Sequence, residues 1–275
     1  MSHLFAPFQP ESDEPRRRRF KPIPIRMIIP NLITLFSLCL GLTAIRLAVD
    51  GKFELAITSI VIAGVLDGID GRIARLLHSA SRFGAELDSL ADFVSFGVAP
   101  AMLLYFWGLN SLHSAGWIAV LVFAICAGLR LARFNVMIDD PNKPPYAVNF
   151  FTGVPAPAGA LIVMLPIYLE LMGLPHTIAS SVIALVYTVA VALLMVSWIP
   201  TWSGKGISGR VPREHVLTIM ICVVFVGALL VSYPWEMLSF GSFAYLVCIP
   251  VAYLQYQKLK RAYLAASGGM IQPET

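Results

Sequence analysis

Long apolar stretches separated by short polar ones run through nearly the whole chain after residue 26. Each stretch has about the ~20 residues that an α-helix needs to cross a ~30 Å hydrocarbon layer. The strict apolar–polar alternation typical of membrane β-strands is missing. The pattern therefore predicts eight membrane-spanning helices, at about 28–49, 54–77, 85–108, 115–137, 154–172, 177–199, 215–233 and 238–258.

The composition agrees with a membrane protein. The 275 residues are 57% hydrophobic and 13% charged, whereas soluble domains have about 25% charged residues. We predict an all-α, polytopic membrane bundle with one membrane domain over 27–262 and polar cytoplasmic tails at 1–26 and 263–275. The N-terminal tail is rich in Pro and charge, which is typical of disordered segments.

The positions of the basic residues predict the orientation. If the N-terminus lies in the cytoplasm, all of the 20 Lys and Arg residues except Arg46 and Lys52 fall on the cytoplasmic side. This distribution follows the positive-inside rule for a plasma (inner) membrane protein with both termini in the cytoplasm. The run Arg16–Arg19 lies close to the first apolar stretch, so we interpret it as an orientation signal and expect no nucleic-acid partner.

Four aspartates interrupt this apolar pattern. Asp67 and Asp70 lie near the cytoplasmic end of the second predicted helix, and Asp88 and Asp92 lie at the start of the third. Spacings of three and four place each pair on one helical face. A short basic turn joins the two helices, so the four carboxylates are predicted to converge near the cytoplasmic membrane surface.

Such a cluster is typical of a metal site. Four bare carboxylates would repel one another and lose hydration. Oxygen-only ligands suit hard divalent cations, and two such ions about 3.5–4 Å apart are used in phosphoryl displacement. We predict two Mn²⁺ or Mg²⁺ ions on Asp67, Asp70, Asp88 and Asp92. The alternative is a set of acids that simply face water at the membrane edge.

Small and basic residues accompany the acids. Gly68, Gly71 and Gly84 lie beside them, although a helical glycine costs about 1 kcal/mol relative to alanine. Their presence suggests that a ligand approaches the backbone closely. Arg75 follows Gly71 by one turn, where its guanidinium could bind phosphate. Together these residues predict a phosphate-bearing substrate.

The complete pattern is Asp67-x2-Asp70-Gly71-x2-Ala74-Arg75-x8-Gly84-x3-Asp88-x3-Asp92. It resembles, with no position missing, the signature of the CDP-alcohol phosphotransferase family, which transfers a phosphate-linked group from a CDP-activated molecule to a hydroxyl and releases CMP. Further segments resemble the integral-membrane branch that uses CDP-diacylglycerol and serine. These are "IPNLITLFSLCLGL" (29–42), "DSLADFVSFGVAPA" (88–101), "GLRLARFNV" (128–136) and "FTGVPAPAGA" (151–160).

The resemblance implies roles for individual residues. Asp67, Asp70 and Asp88 would be metal ligands, and Asp92 would be a ligand and the general base. The residues expected to bind the CDP moiety are Asn31, Thr34, Asp67, Gly71, Ala74 and Arg75. The expected reaction is transfer of the phosphatidyl group of CDP-diacylglycerol to the hydroxyl of L-serine, with release of CMP. A homodimer is also implied by the resemblance alone.

The acceptor pocket is less sharply defined by the sequence. Serine carries a carboxylate, so we expect a cation, and the candidates are Arg130 and Arg133 with Asn135. These arginines could equally be orientation signals. Ser95 lies three residues after Asp92, on the same face of a regular α-helix, and could also contact serine; hydrogen bonding to its own backbone is an equal alternative.

Two other functions stay open at this point. The acceptor could be glycerol 3-phosphate, inositol phosphate or choline, because the aspartates act on the shared CDP half. A cation transporter could also use intramembrane acids, but it would be expected to spread them over several helices near the middle of the bilayer.

Overall fold

The structure is a computed structural model that describes residues 25–77, 81–137, 150–202 and 213–266. The disorder predicted for 1–26 therefore concerns residues that lie, apart from the last two, outside the described ones. The C-terminal tail predicted from 263 begins inside a helix that ends at Ala266, and the rest of it also lies outside.

All eight predicted segments are helical. The α-helices are α1 (Ile25–Val49), α2 (Phe53–Leu76), α3 (Arg82–Asp92), α4 (Ala99–Trp107), α5 (His113–Met137), α6 (Ala156–Val163), α7 (Leu165–Leu171), α8 (Ile178–Val196), α9 (Arg213–Ser232) and α10 (Pro234–Ala266). A π-helix (Phe93–Val98) joins α3 to α4, and a 3₁₀-helix (Leu109–Leu112) precedes α5. Two short strands, β1 (Phe150–Thr152) and β2 (Pro200–Trp202), form an antiparallel pair.

By length and composition, five helical stretches in the described part of the chain could cross a membrane. They are Ile28–Val49, Arg82–Trp107, Leu109–Met137, Ile178–Val196 and Pro234–Tyr263. Shorter apolar helices cover Ala156–Leu171 and Val216–Ser232. Helix α2 has 24 residues but carries Asp67 and Asp70. The all-α membrane bundle is confirmed, and the count of eight spans stays a prediction.

The bundle has a packed interior and an apolar outer surface. Tyr168, Phe96 and Phe123 are fully buried, whereas Leu193 and Val247 are exposed, as expected for a surface that faces lipid. Helix α1 packs along α2, and α5 packs along α8. Small residues allow the closest approaches, which is typical of membrane helices.

Two irregular features were not predicted. The predicted helix over 154–172 is broken at Met164, after which Pro166 starts α7 without needing a backbone N–H donor. The β1–β2 pair links the chain before α6 to the chain after α8. Gly153, with φ +76°, follows β1, and a Cβ there would lie 2.3 Å from the Met195 carbonyl oxygen. This small sheet packs against α10.

Candidate active site

Three of the predicted carboxylates meet between α2 and α3. Oxygens of Asp67, Asp70 and Asp88 all lie within 4.8 Å of one another. Asp70 is buried, with 4% of its surface exposed. The helical spacing of each pair and the few residues between α2 and α3 favour this approach, and the sequence had predicted it for all four aspartates.

The fourth carboxylate lies beside this group. Asp92 lies close enough to Asp67 for the two side chains to interact, and it is not one of the three that converge within 4.8 Å. Asp67 therefore connects the three-carboxylate group to Asp92. The predicted role of Asp92 as a metal ligand stays a prediction, while its position next to the cluster leaves it available for proton transfer.

The donor atoms suit a hard divalent cation. All three converging groups offer oxygen, and one buried oxygen, Asp88 Oδ1, has no hydrogen-bond partner among the described residues. A buried carboxylate oxygen without a partner is costly, and a bound cation would remove that cost. The residues present thus fit Mg²⁺ or Mn²⁺.

Helix α1 supports the cluster through Thr34. Its Oγ1 lies 2.8 Å from Asp70 Oδ2 and 3.1 Å from the Pro30 carbonyl oxygen, so it can donate its proton to either acceptor. Thr34 is 4% exposed. The hydroxyl fixes the orientation of the Asp70 carboxylate, a role that neighbours of metal ligands often have.

A groove opens beside the carboxylates, with about 490 Å³ of free space. It is formed by the N-terminal part of α1, the C-terminal part of α2 and the first two turns of α3. Its lining residues are Pro30, Asn31, Thr34, Asp70, Gly71, Ala74, Ser81, Gly84, Ala85 and Asp88. Four of the residues predicted to bind CDP therefore line one groove together with two of the predicted metal ligands.

The glycines have different roles in this groove. A Cβ at Gly71 would meet nothing within 4 Å, so the glycine keeps space open. A Cβ at Gly84 would lie 2.9 Å from Asn31 Oδ1, so here the glycine lets α3 approach α1. Ser81, which sequence reasoning missed, caps α3 by accepting a hydrogen bond from the Gly84 backbone N–H at 3.0 Å. A serine just before a helix is the signal that could have identified it.

Two family models match this chain. Residues 27–202 match the family model described as CDP-alcohol phosphatidyltransferase. The chain belongs to this family. Residues 214–250 match a second model, described as CDP-alcohol phosphatidyltransferase 2. The resemblance stated from the aspartate signature is therefore confirmed, and the chain is a transferase.

Several similar proteins carry the name CDP-diacylglycerol–serine O-phosphatidyltransferase. The Mycobacterium leprae protein is 38% identical over 241 residues, which cover 88% of this chain and 78% of that protein. The Mycobacterium tuberculosis H37Rv protein is 38% identical over 239 residues, covering 87% and 82%. The Helicobacter pylori 26695 protein is 35% identical over 210 residues, covering 76% and 86%.

Not every residue of the family signature faces the groove. The Arg75 side chain is exposed, and its Nε donates to the Gly71 carbonyl oxygen at 3.0 Å. Arg75 does not line the groove in this arrangement. Its predicted contact with phosphate would require the side chain to leave this hydrogen bond, which is a small change for an exposed arginine.

The two candidate arginines on α5 differ sharply. Arg133 Nη1 donates to the Val196 carbonyl oxygen at 2.6 Å, and its guanidinium lies 4.4 Å from the centre of the Trp198 ring. Arg133 thus joins the end of α5 to the end of α8. Arg130 instead is 9% exposed and lies near Asp92 and Asp67. Arg130 therefore lies beside the carboxylates, while Arg133 is held by structural contacts.

Ser95 has a structural contact in this arrangement, and its predicted contact with serine stays a prediction. Ser95 is fully buried and donates to the Ser37 carbonyl oxygen at 3.2 Å, next to Gly41 of α1. Residues 93–98 form a π-helix with i→i+5 hydrogen bonds, so the α-helical spacing used for Ser95 does not hold. Gly41 comes seven residues after Thr34, so Ser95 contacts α1 about 10 Å along the helix from Thr34, at 1.5 Å per residue.

Asn135, the last predicted acceptor residue, lies on the exposed side of α5. Its Nδ2 donates to Ser89 Oγ on α3 at 2.8 Å. This bond ties α5 to the helix that carries Asp88 and Asp92. The structure gives Asn135 a helix-joining contact, and its predicted contact with serine stays a prediction.

Proposed function

We propose that this protein transfers the phosphatidyl group of CDP-diacylglycerol to the hydroxyl of L-serine and releases CMP. The observation that carries the proposal is the convergence of Asp67, Asp70 and Asp88 within 4.8 Å at one side of a groove. That groove is lined by the residues at which the family signature expects the nucleotide. The names of the relatives support CDP-diacylglycerol as donor and serine as acceptor.

The groove would take the CDP half of the lipid. Asn31 and Gly71 lie on either side of it, on α1 and α2, and Gly71 leaves the space that a nucleotide needs. The acyl chains would stay in the lipid beside the bundle. Two divalent cations held by the four aspartates would offset the charge of the diphosphate and of the phosphorane-like transition state.

Asp92 would act as the general base. It would accept the proton of the serine hydroxyl, whose oxygen then forms a bond to the phosphorus that carries diacylglycerol. The bond from this phosphorus to the bridging oxygen of CMP breaks, and CMP leaves with the electron pair. Arg75, one turn from Gly71, would leave its hydrogen bond and contact the departing phosphate. Positioned general bases contribute about 10²–10⁴-fold.

The site would open to the cytoplasm. We propose that both termini and the site lie on the cytoplasmic side of the plasma (inner) membrane, because the basic residues favour that orientation. Serine would then enter from the cytosol. We also propose that the protein forms a homodimer, because the family resemblance implies one.

CMP release tests the function directly. Purified protein in detergent would be given CDP-diacylglycerol and Mn²⁺ or Mg²⁺, with serine, glycerol 3-phosphate, inositol phosphate, choline or no acceptor. We expect CMP only with serine, and none after EDTA. CMP with a different acceptor would reject serine and retain the carboxylate site. Movement of cations without any CMP release from folded protein would favour a transporter instead.

A further inference from the structure

Arg130 is a buried cation without a direct partner in the part of the chain that the structure describes. The residue is 9% exposed, yet no carboxylate oxygen of the described residues lies within 4.0 Å of its nitrogens. Its side chain makes no hydrogen bond within the described ranges. The Arg130 Cζ lies 5.2 Å from the centre of the Phe134 ring. A largely buried guanidinium with unused donors is a suitable partner for an anionic ligand, which would supply the acceptors that these donors lack.

Tyr245 of α10 presents a second unused polar group at the same place. It lies close enough to Arg130 for the two to interact electrostatically. Its hydroxyl is buried beside Thr201 of β2. The Thr201 Oγ1 donates to the Gly153 carbonyl oxygen at 2.7 Å, so it can only accept from Tyr245, and the Tyr245 hydroxyl makes no well-formed hydrogen bond with the described residues. Sequence reasoning had not singled out Tyr245.

Neither of these two groups lines the groove. Asp70 and Asp88 line the groove, whereas Asp67 and Asp92 are the carboxylates that interact electrostatically with Arg130. Arg130 interacts in the same way with Tyr245. An in-line displacement needs the nucleophile to approach opposite the leaving group. The Arg130 side of the cluster is therefore where the acceptor should bind.

We propose that Arg130 and Tyr245 form the subsite that binds the carboxylate of the acceptor. This inference rests on the proposed function and names the residues that select the acceptor. Serine carries its carboxylate and its hydroxyl on neighbouring carbons, so it can place the first on Arg130 and the second at Asp92. The guanidinium offers paired N–H donors that match a carboxylate, and the Tyr245 hydroxyl adds one more donor.

Tyr245→Phe is the decisive variant because it removes one oxygen and keeps the ring. We expect the KM for serine to rise about 10- to 150-fold, the usual range for a lost hydrogen bond to a charged group. The kcat at saturating serine and the KM for CDP-diacylglycerol should stay unchanged. Since the removed hydroxyl makes no well-formed hydrogen bond with the described residues, the Tm should change little. Tyr253→Phe, an exposed tyrosine of the same helix, is the matched control.

A second acceptor tests which part of serine is bound. Serinol has a hydroxymethyl group in place of the carboxylate, so Tyr245→Phe and wild type should use it with similar kcat/KM. Arg130→Lys keeps the charge and loses the planar donor pair, so it should also raise the KM for serine and not that for the lipid. Loss of discrimination between serine and serinol in both variants would support the subsite.

Other outcomes would overturn the proposed Arg130–Tyr245 subsite. An unchanged KM for serine in Tyr245→Phe, or an equal loss with serinol, would show that the hydroxyl does not bind the carboxylate. A raised KM for CDP-diacylglycerol alone would instead assign Tyr245 to the apolar cavity between α6 and α10, which it also lines. If wild-type protein releases CMP only with an acceptor that lacks a carboxylate, the proposed function and this subsite both fail.

Discussion

Two glycines of α2 provide a controlled test of the groove. At Gly68 and at Gly71 a Cβ would meet nothing within 4 Å, so alanine fits at either position in the protein alone. Both lie inside α2, three residues apart. Gly71 lines the groove and Gly68 does not. Replacing each by alanine therefore makes the same chemical change, once where the substrate is proposed to bind and once outside that site.

The two variants should be equally stable and unequally active. Alanine in a helix interior is favoured over glycine by about 0.5–1 kcal/mol, so both proteins should unfold at slightly higher temperature than wild type. An added methyl in a filled site costs about 1–3 kcal/mol, which corresponds to about 5- to 150-fold in affinity. Gly71→Ala should show this increase in the KM for CDP-diacylglycerol, and Gly68→Ala should not.

The assay is CMP release at saturating serine, with thermal unfolding in the same detergent as the measure of stability. If Gly71→Ala keeps the wild-type KM for the lipid, the groove lined by Asn31 and Gly71 is not the nucleotide site. If Gly68→Ala loses as much activity as Gly71→Ala, the effect belongs to α2 as a whole and the reasoning from the groove fails.

Four further outcomes are expected. Asp92→Asn should lower kcat about 10²–10⁴-fold even at saturating metal, and near-normal turnover there would reject it as the base. Asp88→Asn should raise the Mg²⁺ or Mn²⁺ concentration for half-maximal activity; an unchanged metal titration would contradict its role as a ligand. Thr34→Val, which removes the donor 2.8 Å from Asp70 Oδ2, should weaken metal activation about 10–100-fold, with Thr34→Ser restoring it if the hydroxyl is the cause. Gly116→Ala would place a Cβ 1.9 Å from a backbone carbonyl oxygen and should cost about 3 kcal/mol, so an unchanged Tm would show that the 3₁₀-helix before α5 can move aside.

Part of the candidate site could be predicted because it is local in sequence. Asp67 with Asp70, and Asp88 with Asp92, are fixed on their helical faces by spacing alone, and the short connection between α2 and α3 limits how far the pairs can separate. Their convergence therefore follows from the backbone geometry of two neighbouring helices. Thr34, from α1, was named through family resemblance, and its hydrogen bond to Asp70 was not predicted.

The acceptor side was predicted poorly because it depends on helix packing. Arg130 and Arg133 look equivalent in sequence, three residues apart on one helix. Only the packing of α5 against α8 engages Arg133 with the Val196 carbonyl oxygen and leaves Arg130 without a hydrogen bond in the described part of the chain. The α-helical spacing assumed for Ser95 does not apply, because a π-helix changes the rotation of the chain after Asp92, and spacing in the sequence does not reveal a π-helix.

The sequence by itself determined that this is an all-α membrane protein of the CDP-alcohol phosphatidyltransferase family with two pairs of aspartates on adjacent helices. Apolar length, helical spacing and a local signature carry that information, since each acts within one helix or one turn. Tertiary structure alone decided that Tyr245 of α10 meets Arg130 of α5, and that α1, α2 and α3 enclose a groove. These contacts join residues far apart in the chain, and they depend on how whole helices rotate and pack against one another.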